Sequence, residues 1–348
     1  MQVLQIARHG TPAEVVHLVD APEPDAPKAG EVLAAVEYAP INHSEILKIE
    51  GHYPLLPASF PAGVGNEGVA RILAVGSNVT DLAVGDRVLI PQTHYAWRER
   101  LVMPAAGLFA LPTGADPRQL SMLSINPPTA ALLLSEFVDL QPGDWVIQDA
   151  GNSGVGRSVI AIAKHLGLRT VSLVRRQDLV QELRAAGGDV VLVDGPDVRA
   201  RVAAATSNAA IALGIDLVGG ESTALLAGIL APAGVVVVYS VLGSRSIVAN
   251  GLDLIFRDIV IRGFWIYGPR YRSSPKIAAA MKLGAQLVAD GTLNVPIART
   301  YPLTAAAEAL SHAEGGGKVL FTIQPGGVTS QLPEMSIGQS SGRSSSGR

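Results

Sequence analysis

A glycine-rich segment between residues 146 and 156 has the composition of a nucleotide phosphate loop. The string Val146-Ile-Gln-Asp-Ala-Gly-Asn-Ser-Gly-Val-Gly156 predicts an apolar strand, a tight turn and the start of a helix. Glycine allows a sharp turn and a close approach to a pyrophosphate, which the free N–H groups of a helix N-terminus attract. The order Gly151-x-x-Gly154-x-Gly156 is not the common G-x-G-x-x-G, and ordinary strand–helix turns also contain glycines. Its position at the first strand of a long alternating region favours a dinucleotide site.

Two arginines after the second strand of this region indicate which dinucleotide is bound. Arg175 and Arg176 stand in the run Val174-Arg-Arg-Gln177. Enzymes that use NAD usually have an acidic residue near this position, which holds the ribose 2′-hydroxyl. Guanidinium groups match a phosphate in charge and hydrogen-bonding geometry, so the pair favours NADPH. A solvated basic turn is the alternative interpretation.

The composition is that of a globular protein with a large core. The 348 residues suffice for two domains, and 48% are hydrophobic against 16% charged. The net charge of −3 gives no reason to expect nucleic acid or an anionic membrane as a partner. There is no cysteine, which excludes disulfides and thiolate zinc sites. Because the N-terminus also lacks the features of a secretory signal, we expect a cytoplasmic protein.

The pattern of strands and helices predicts an α/β protein with two domains. Residues 1–121 contain short apolar runs separated by Pro and Gly, which predicts a β-rich domain. Residues 122–267 alternate strands with helices, which predicts a doubly wound parallel sheet, the Rossmann dinucleotide-binding fold. Residues 268–324 should return to the first domain. Residues 325–348 are rich in Ser and Gly and are predicted to be disordered.

Six strands and seven helices are predicted from residue 145 onward, with one further strand near the end. The strands of the alternating region are Trp145–Gln148, Thr170–Val174, Val190–Val193, Ile215–Val218, Val235–Tyr239 and Ile259–Arg262. Its helices are Val155–Leu166, Leu179–Ala186, Val198–Ala205, Ser222–Leu230 and Leu252–Phe256. The last part is predicted to contain helices Pro275–Asp290 and Ala305–Glu314 and the strand Lys318–Ile323.

Seven unusual strings occur in an order that resembles a known superfamily. They are Ile41-Asn-His-Ser-Glu45, Gly51-His-Tyr-Pro54, Gly65-Asn-Glu-Gly68, Ala74-Val-Gly-Ser-Asn-Val79, Ile125-Asn-Pro-Pro-Thr-Ala130, Asn152-Ser-Gly-Val-Gly156 and Ile261-Arg-Gly-Phe-Trp265. Together they resemble the medium-chain dehydrogenases/reductases, and most closely the trans-2-enoyl-thioester reductases of the mitochondrial type. The resemblance extends over residues 1–324. It implies a GroES-like β-rich catalytic domain joined to a Rossmann domain.

The resemblance also implies a reaction and a proton donor. Such reductases use NADPH to reduce the carbon–carbon double bond of an enoyl thioester, whose own carbonyl accepts the developing negative charge. The residue that matches Tyr53 donates the proton, and Asn42 would position substrate or nicotinamide. A tyrosine, with its pKa near ~10, stays protonated at neutral pH. The alternative is that Tyr53 is an exposed loop residue before Pro54.

The resemblance and the glycine-rich loop itself indicate further residues as cofactor contacts. In the glycine loop they are Gly151, Asn152, Ser153, Gly154, Val155 and Gly156. Outside the loop, besides Arg175 and Arg176, they are Asn126, Tyr239, Ser240, Val241, Leu242, Phe264, Trp265, Ile266, Tyr267 and Lys318. Phe264 and Trp265 could instead be core residues, and Lys318 could lie on the surface.

The zinc alcohol dehydrogenases of the superfamily differ from this chain at their ligand positions. They carry a cysteine ligand at the position of Asn42 and a histidine ligand at that of Asn66, and the third ligand region holds Ile125 and Asn126. The four-cysteine structural zinc lobe is absent as well. We therefore expect no metal.

Three residues leave a metal site open in principle. His43, His52 and Glu67 could together supply ligands, although we expect the two histidines to be loop side chains.

Other functions remain open at the level of the sequence. They are an NADPH quinone or enone reductase, which lacks the tyrosine in this loop, a zinc alcohol dehydrogenase, and a non-catalytic NADPH-binding protein such as a lens crystallin or a sensor.

The resemblance also implies a homodimer. The runs Val235–Tyr239 and Ile259–Trp265 offer a sheet edge that a second copy could cover.

Overall fold

The computed structural model describes residues 1–323. The predicted disordered tail and Gln324 lie outside the described residues. Within residues 1–323 no helix is both long and apolar enough to cross a lipid bilayer.

The first part of the chain is rich in short strands, as predicted. Its strands are β1 (Gln2–Ile6), β2 (Val16–Asp20), β3 (Glu31–Ile41), β4 (Ala62–Gly63), β5 (Val69–Val75), β6 (Arg87–Leu89) and β7 (Arg100–Pro104). Its helices are α1 (Pro12–Val15), α2 (His43–Ile49) and α3 (Pro117–Leu120), and a 3-10 turn spans Gln92–His94. The hairpin of β1 and β2 and the helix α2 were not predicted.

The second part alternates strands and helices over the predicted range. After helix α4 (Asn126–Ser135) the strands are β8 (Trp145–Gln148), β9 (Arg169–Val174), β10 (Val190–Val193), β11 (Ile211–Asp216), β12 (Val235–Val238) and β13 (Val260–Gly263). The helices between them are α5 (Gly154–His165), α6 (Asp178–Ala185), α7 (Val198–Ala205), α8 (Glu221–Ile229) and α9 (Gly251–Phe256). The remaining elements are α10 (Pro275–Ala289), β14 (Ile297–Tyr301), a 3-10 turn at Leu303–Ala305, α11 (Ala306–Gly315) and β15 (Lys318–Thr322).

The six strands β8–β13 form one parallel sheet in the order β10-β9-β8-β11-β12-β13. This is the doubly wound order, in which the chain reverses direction between β8 and β11. Ligands of such sheets bind at that reversal, beyond the carboxyl ends of the strands. The Rossmann prediction is confirmed, and the glycine loop lies at the reversal because it directly follows β8.

Two details of the strand prediction are wrong. The fourth strand runs over Ile211–Asp216 and not Ile215–Val218, because the Asp216 carboxylate accepts hydrogen bonds from the N–H groups of Val218 and Gly219 and so forms a turn there. Strand β12 is an interior strand, so the run Val235–Tyr239 offers no edge. The edge of the sheet is β13.

The last strand returns to the β-rich part, as predicted. Strand β15 pairs antiparallel with β3, with Val319 opposite Ile41, and parallel with β14. Phe321 of β15 is fully buried against Trp97, with ring centroids 5.0 Å apart, and the Trp97 indole donates to the carbonyl of Pro40. The C-terminal strand therefore belongs to the core of the first sheet.

Helix α10, unlike strand β15, does not return to the first sheet. It packs against α3 and α4, with Gly284 so close to Pro127 that a Cβ would lie 2.9 Å from its ring. Helix α4 itself was not predicted, because the two prolines after Asn126 suggest a loop. Proline is tolerated in the first turn of a helix, where its missing N–H has no intrahelical partner. The boundaries at residues 121 and 268 remain a prediction.

Candidate active site

The glycine loop is held tightly against the start of α5. A Cβ on Gly156 would lie 2.6 Å from the carbonyl oxygen of Gly151, and one on Gly151 would lie 2.7 Å from the Cβ of Ser172. Ser153 caps α5 by accepting from the N–H of Gly156 at 3.0 Å. The unusual glycine order is therefore required by contact between the loop, α5 and β9.

Asn126 supplies a donor that the protein itself does not use. Its side chain is buried, and within residues 1–323 its Nδ2 has no hydrogen-bond partner. The amide lies against Gly154, where a Cβ would approach Nδ2 to 2.6 Å. An unpaired buried N–H group is costly, so a ligand that accepts from it gains affinity. This donor and the N-terminus of α5 fit a dinucleotide across the loop.

The two arginines lie at the rim of this site. Both follow β9, both are exposed, and Arg176 makes a long ion pair of 3.4 Å with Asp178. Exposed guanidinium groups at the carboxyl end of the second strand are free to turn toward a 2′-phosphate.

The residues after β12 and β13 occupy different surroundings. Tyr239 is partly buried and bonded to Ser153, and burial raises the pKa of its hydroxyl, with the charge of Asp149 adding to the shift. Ser240 and Val241 are partly buried, whereas Leu242 is exposed. Phe264 packs its ring against Tyr271 at 4.9 Å, so its side chain belongs to the core. Ile266 is buried as well.

Two carboxyl groups lie buried at the reversal point of the sheet. Asp149 follows β8 and accepts from Leu217 N at 2.8 Å and from Ser222 Oγ at 2.7 Å. Asp216 ends β11 and accepts from the hydroxyl of Thr223. Burial, together with the hydrogen bond and charge of Asp216, raises the pKa of Asp149 to about 8. A pKa of about 8 keeps Asp149 largely protonated at neutral pH.

Tyr53 and Trp265 bring the two parts of the chain together. The indole Nε1 of Trp265 donates to the Tyr53 hydroxyl oxygen at 2.8 Å, and the rings pack edge to face at 5.9 Å. Burial raises the pKa of Tyr53, which the hydrogen bond from Trp265 partly offsets. Because Trp265 donates, the proton of Tyr53 remains available for another acceptor. The role of Tyr53 as the acid stays a prediction.

Tyr267 lies close to the same group. Its side chain is partly buried, and burial raises the pKa of its hydroxyl well above the usual value, with the charge of Glu67 and the neighbouring Tyr53 adding to the shift.

Asn42 sits in the middle of a buried polar chain. Its Oδ1 accepts from the Lys318 ammonium at 2.7 Å, and its Nδ2 donates to Glu67 Oε1 at 2.8 Å. Burial raises the pKa of Glu67 to about 8, against the opposing effect of Lys318, and burial lowers the pKa of Lys318. Lys318 is thus not a surface residue, and its one hydrogen bond within residues 1–323 is to Asn42.

A second carboxylate fixes the backbone at the same place. Glu45 is buried and accepts from the N–H groups of Asn42 and Asn66, both at 3.0 Å. The sequence analysis gave no role to Glu45 and considered Glu67 only as a metal ligand. Their proximity to Asn42 and Asn66 in the motifs Ile41–Glu45 and Gly65–Gly68 was the available signal.

One of the two histidines, His52, is a loop side chain, as expected, whereas His43 is the first residue of helix α2. His52 is exposed and lies 3.3 Å from Glu50 and 3.0 Å from Arg245, and His43 is exposed. Within residues 1–323 no three His, Cys, Asp or Glu side chains are grouped so that they could hold a metal ion. Zinc-independent chemistry stays a prediction.

Family models match both parts of the chain. The alcohol dehydrogenase GroES-like domain matches residues 28–112, and the zinc-binding dehydrogenase domain matches residues 154–286. A human mitochondrial enoyl-acyl-carrier-protein reductase is 37% identical over 310 residues, which cover 87% of this chain and 83% of the relative. The corresponding protein of Dictyostelium discoideum is 37% identical over 273 residues, or 76% of this chain and 77% of the relative.

The chain belongs to the enoyl-acyl-carrier-protein reductase family. It is thus a medium-chain dehydrogenase/reductase with a GroES-like and a Rossmann part, and both the recognition and the fold predicted from the sequence are confirmed. This member has Asn42 and Asn66 at the positions that the sequence comparison assigned to metal ligands.

Solved structures agree on the fold of this reductase. A complex of Etr1p with NADP and crotonyl-CoA has a TM-score of 0.83 at 23% identity, covering 92% of this chain and 99% of that one. A protein described as a possible NADPH:quinone reductase of Bacillus thuringiensis has a TM-score of 0.80 at 24% identity, covering 93% and 99%. The fold therefore occurs in both kinds of reductase that the sequence left open.

Replacing Arg175 and Arg176 together with Ala should raise the KM for NADPH at least tenfold and leave the KM for NADH nearly unchanged. A hydrogen bond to a charged group contributes ~1.5–3 kcal/mol, and only NADPH carries the 2′-phosphate. Steady-state kinetics with both cofactors would measure this, with Arg184→Ala, an exposed arginine on the neighbouring helix, as control. Equal use of both cofactors by the wild type would contradict the assignment.

Replacing Asp149 with Asn should flatten the pH dependence of stability. A carboxyl whose pKa is raised on folding favours the folded state most below its unfolded pKa, and that contribution is lost as the pH rises toward about 8. The wild type should lose up to about 1.4 kcal/mol per pH unit from this group between pH 5 and 8. Asn keeps the geometry of the protonated carboxyl, so the variant should lack this part of the slope.

Urea unfolding midpoints at pH 5.5, 7 and 8.5 would measure the difference between the two proteins. Glu221→Gln, at an exposed carboxylate of the same part of the chain, serves as the control. Parallel pH profiles of the wild type and Asp149→Asn would show that the pair holds no proton.

Proposed function

We propose that the chain catalyses the NADPH-dependent reduction of the carbon–carbon double bond of trans-2-enoyl thioesters. Its curated relatives are named as enoyl-acyl-carrier-protein reductases, and the Etr1p structure is a complex with NADP and crotonyl-CoA. The observation that carries the proposal is the Tyr53 hydroxyl, which accepts from Trp265 at 2.8 Å and keeps its own proton for a substrate.

The chain's own residues divide the work of the reaction. NADPH, when bound, supplies a hydride to the β-carbon. The residues that would hold it are those of the glycine loop, Asn126 with its unpaired amide, and the two arginines for the 2′-phosphate. Tyr53 gives a proton to the α-carbon, and the hydrogen bond from Trp265 holds the Tyr53 hydroxyl group in place. The hydrogen-bonded side chains of Lys318, Asn42 and Glu67 would supply a cation and an amide donor to the negative charge that develops on the thioester carbonyl.

A quinone or enone reductase is the second candidate, because the fold of the Bacillus thuringiensis protein is as similar as that of the thioester reductases. A non-catalytic NADPH-binding protein is the third. Assays with crotonyl, hexenoyl and decenoyl thioesters and with quinones would separate the three. The proposal requires that thioesters be reduced with the highest kcat/KM.

We further propose that the protein is a homodimer built on the free edge of β13. Helix α9, which precedes β13 in the chain, exposes three large apolar side chains, Leu252, Ile255 and Phe256. The exposed fractions of Ile255 and Phe256 are 73% and 77%. A contiguous apolar surface next to an unpaired strand is favourable ground for a second copy, since pairing satisfies the edge and removes apolar area from water. The cytoplasmic location stays a prediction, and the named relatives are mitochondrial.

Tyr53→Phe should lower kcat for thioester reduction by about 10²–10⁴-fold, the usual contribution of a general acid. The ring packing against Trp265 is kept, and NADPH binding should be unchanged because the cofactor residues lie elsewhere. Tyr301→Phe, which removes a hydroxyl bonded to His312 at 2.9 Å within the β-rich part, is the control. A wild-type rate in Tyr53→Phe would favour the quinone reductase.

Phe256→Glu should convert the dimer to a monomer, because a charge in the apolar patch cannot be buried without a partner. Light scattering at micromolar concentration would give the mass. Val84→Glu, at another exposed apolar residue in the β-rich part, should remain a dimer. A monomeric wild type would refute the proposal.

A further inference from the structure

Three features keep the side chain of Asn42 in a single orientation. Lys318 donates to Oδ1 at 2.7 Å, Glu67 accepts from Nδ2 at 2.8 Å, and Glu45 holds the backbone N–H at 3.0 Å. An amide that is flipped by 180° would point Nδ2 at an ammonium and Oδ1 at a carboxyl oxygen, which removes both hydrogen bonds. The orientation of this amide is therefore determined from both ends.

One of the two Nδ2 hydrogens of Asn42 is not used in its hydrogen bond to Glu67. The Nδ2 group carries two hydrogens, and Glu67 accepts one of them. Within residues 1–323 the second hydrogen meets no protein acceptor, while the Asn42 side chain is only partly buried. It is thus a preorganised donor at the site that Tyr53, Trp265 and Tyr267 border.

Glu67 itself is the more unusual group. It is completely buried, and its Oε2 has no hydrogen-bond partner within the described chain. Burying a carboxyl with one unused oxygen is unfavourable, and an apolar residue of the same shape would avoid that cost. Its one side-chain partner is Asn42, since the nearby Lys318 ammonium bonds to Asn42 and not to Glu67. The charge of Lys318 and the backbone N–H of Ile125 also lower the pKa of this carboxyl, but its side-chain hydrogen bond goes to Asn42, whose orientation it determines.

We propose that Glu67 is a positioning residue of the reductase, which with Lys318 fixes the Asn42 amide so that its second Nδ2 hydrogen is donated to the carbonyl oxygen of the thioester. This inference rests on the proposed function and assigns a source for one hydrogen bond to the developing enolate. Hydrogen-bond donors that are already aligned with a developing oxyanion need no rearrangement during the reaction. The protonation state of Glu67 does not matter for this role, because its Oε1 accepts from Asn42 in either form.

Two variants of Glu67 test whether this residue acts as a hydrogen-bond acceptor or only fills space. Glu67→Met keeps the shape but removes the acceptor, so the amide of Asn42 is held from one side only. Its kcat for crotonyl thioester reduction should fall by about ten- to a hundredfold, the scale on which misplaced groups lower rates. Glu67→Gln keeps an accepting Oε1 and should restore kcat to nearly the wild-type value.

A binding measurement gives a readout that does not depend on turnover. The dissociation constant of a non-reducible butyryl thioester, measured by calorimetry in the presence of NADP⁺, should rise in Glu67→Met and stay unchanged in Glu67→Gln. The affinity for NADP⁺ alone should be the same in all three proteins.

Glu37→Met is the matched control. Glu37 is a partly buried glutamate of β3 that pairs with Arg71 at 2.9 Å and Arg87 at 2.6 Å, away from Asn42. This variant should lower the unfolding temperature and leave kcat and butyryl-thioester affinity unchanged.

A second route keeps the inference testable if Glu67→Met does not fold. Asn42→Asp keeps the acceptor for Lys318 and the size of the side chain but has no amide hydrogens, so it should lose kcat to a similar extent. A wild-type kcat in Glu67→Met or in Asn42→Asp would overturn the proposal, as would an equal loss of kcat in Glu67→Gln and Glu67→Met. A wild type that reduces no enoyl thioester would instead show that the proposed function is wrong.

Discussion

A charged group that is taken out of water must find an opposite charge or a set of hydrogen bonds, and the centre of this molecule is arranged around that requirement. Lys318 is held beneath the site together with Glu67 and Glu45, and Asn42 connects the ammonium to one of the two carboxyl groups. Lys318 is far in sequence from Glu67, and both are far from the segment that contains Asn42 and Glu45. The strand pairing of β15 with β3 and the capped start of α2 are both needed to bring them into reach.

The same physical problem is solved differently in the nucleotide-binding part. There the buried carboxyl groups of Asp149 and Asp216 are surrounded by backbone and hydroxyl donors, and the raised pKa of Asp149 favours its neutral form. Both groups follow strands that meet at the reversal of the sheet. A cation thus accompanies the buried carboxyl groups of the first part, whereas hydrogen-bond donors and a proton on Asp149 stabilise those of the second.

The sequence was sufficient for the parallel sheet because each of its strands is an apolar run bounded by a helix of ordinary length. It was insufficient where a side chain redirects the backbone. Asp216 ends β11 early through its own hydrogen bonds to Val218 and Gly219, and two prolines that suggest a loop begin α4 instead. In the site, the resemblance indicated Tyr53, Asn42 and Lys318 one at a time. The hydrogen bonds that join Asn42 to Lys318 and Tyr53 to Trp265 span 276 and 212 residues, and no local pattern encodes such contacts.

The position of β15 also has a consequence for how the chain is made. Strand β3 has β5 on one side, and its other side is shared by β7, along Glu31–Ala35, and by β15, along Tyr38–Ile41. Lys318, the first residue of β15, leaves the ribosome 276 residues after Asn42. Until then, the second half of β3 presents unpaired N–H and C=O groups, and Glu67 is without its neighbouring ammonium. A nascent chain therefore exposes an unpaired strand edge until β15 has emerged, and we expect chaperones to protect that edge during synthesis.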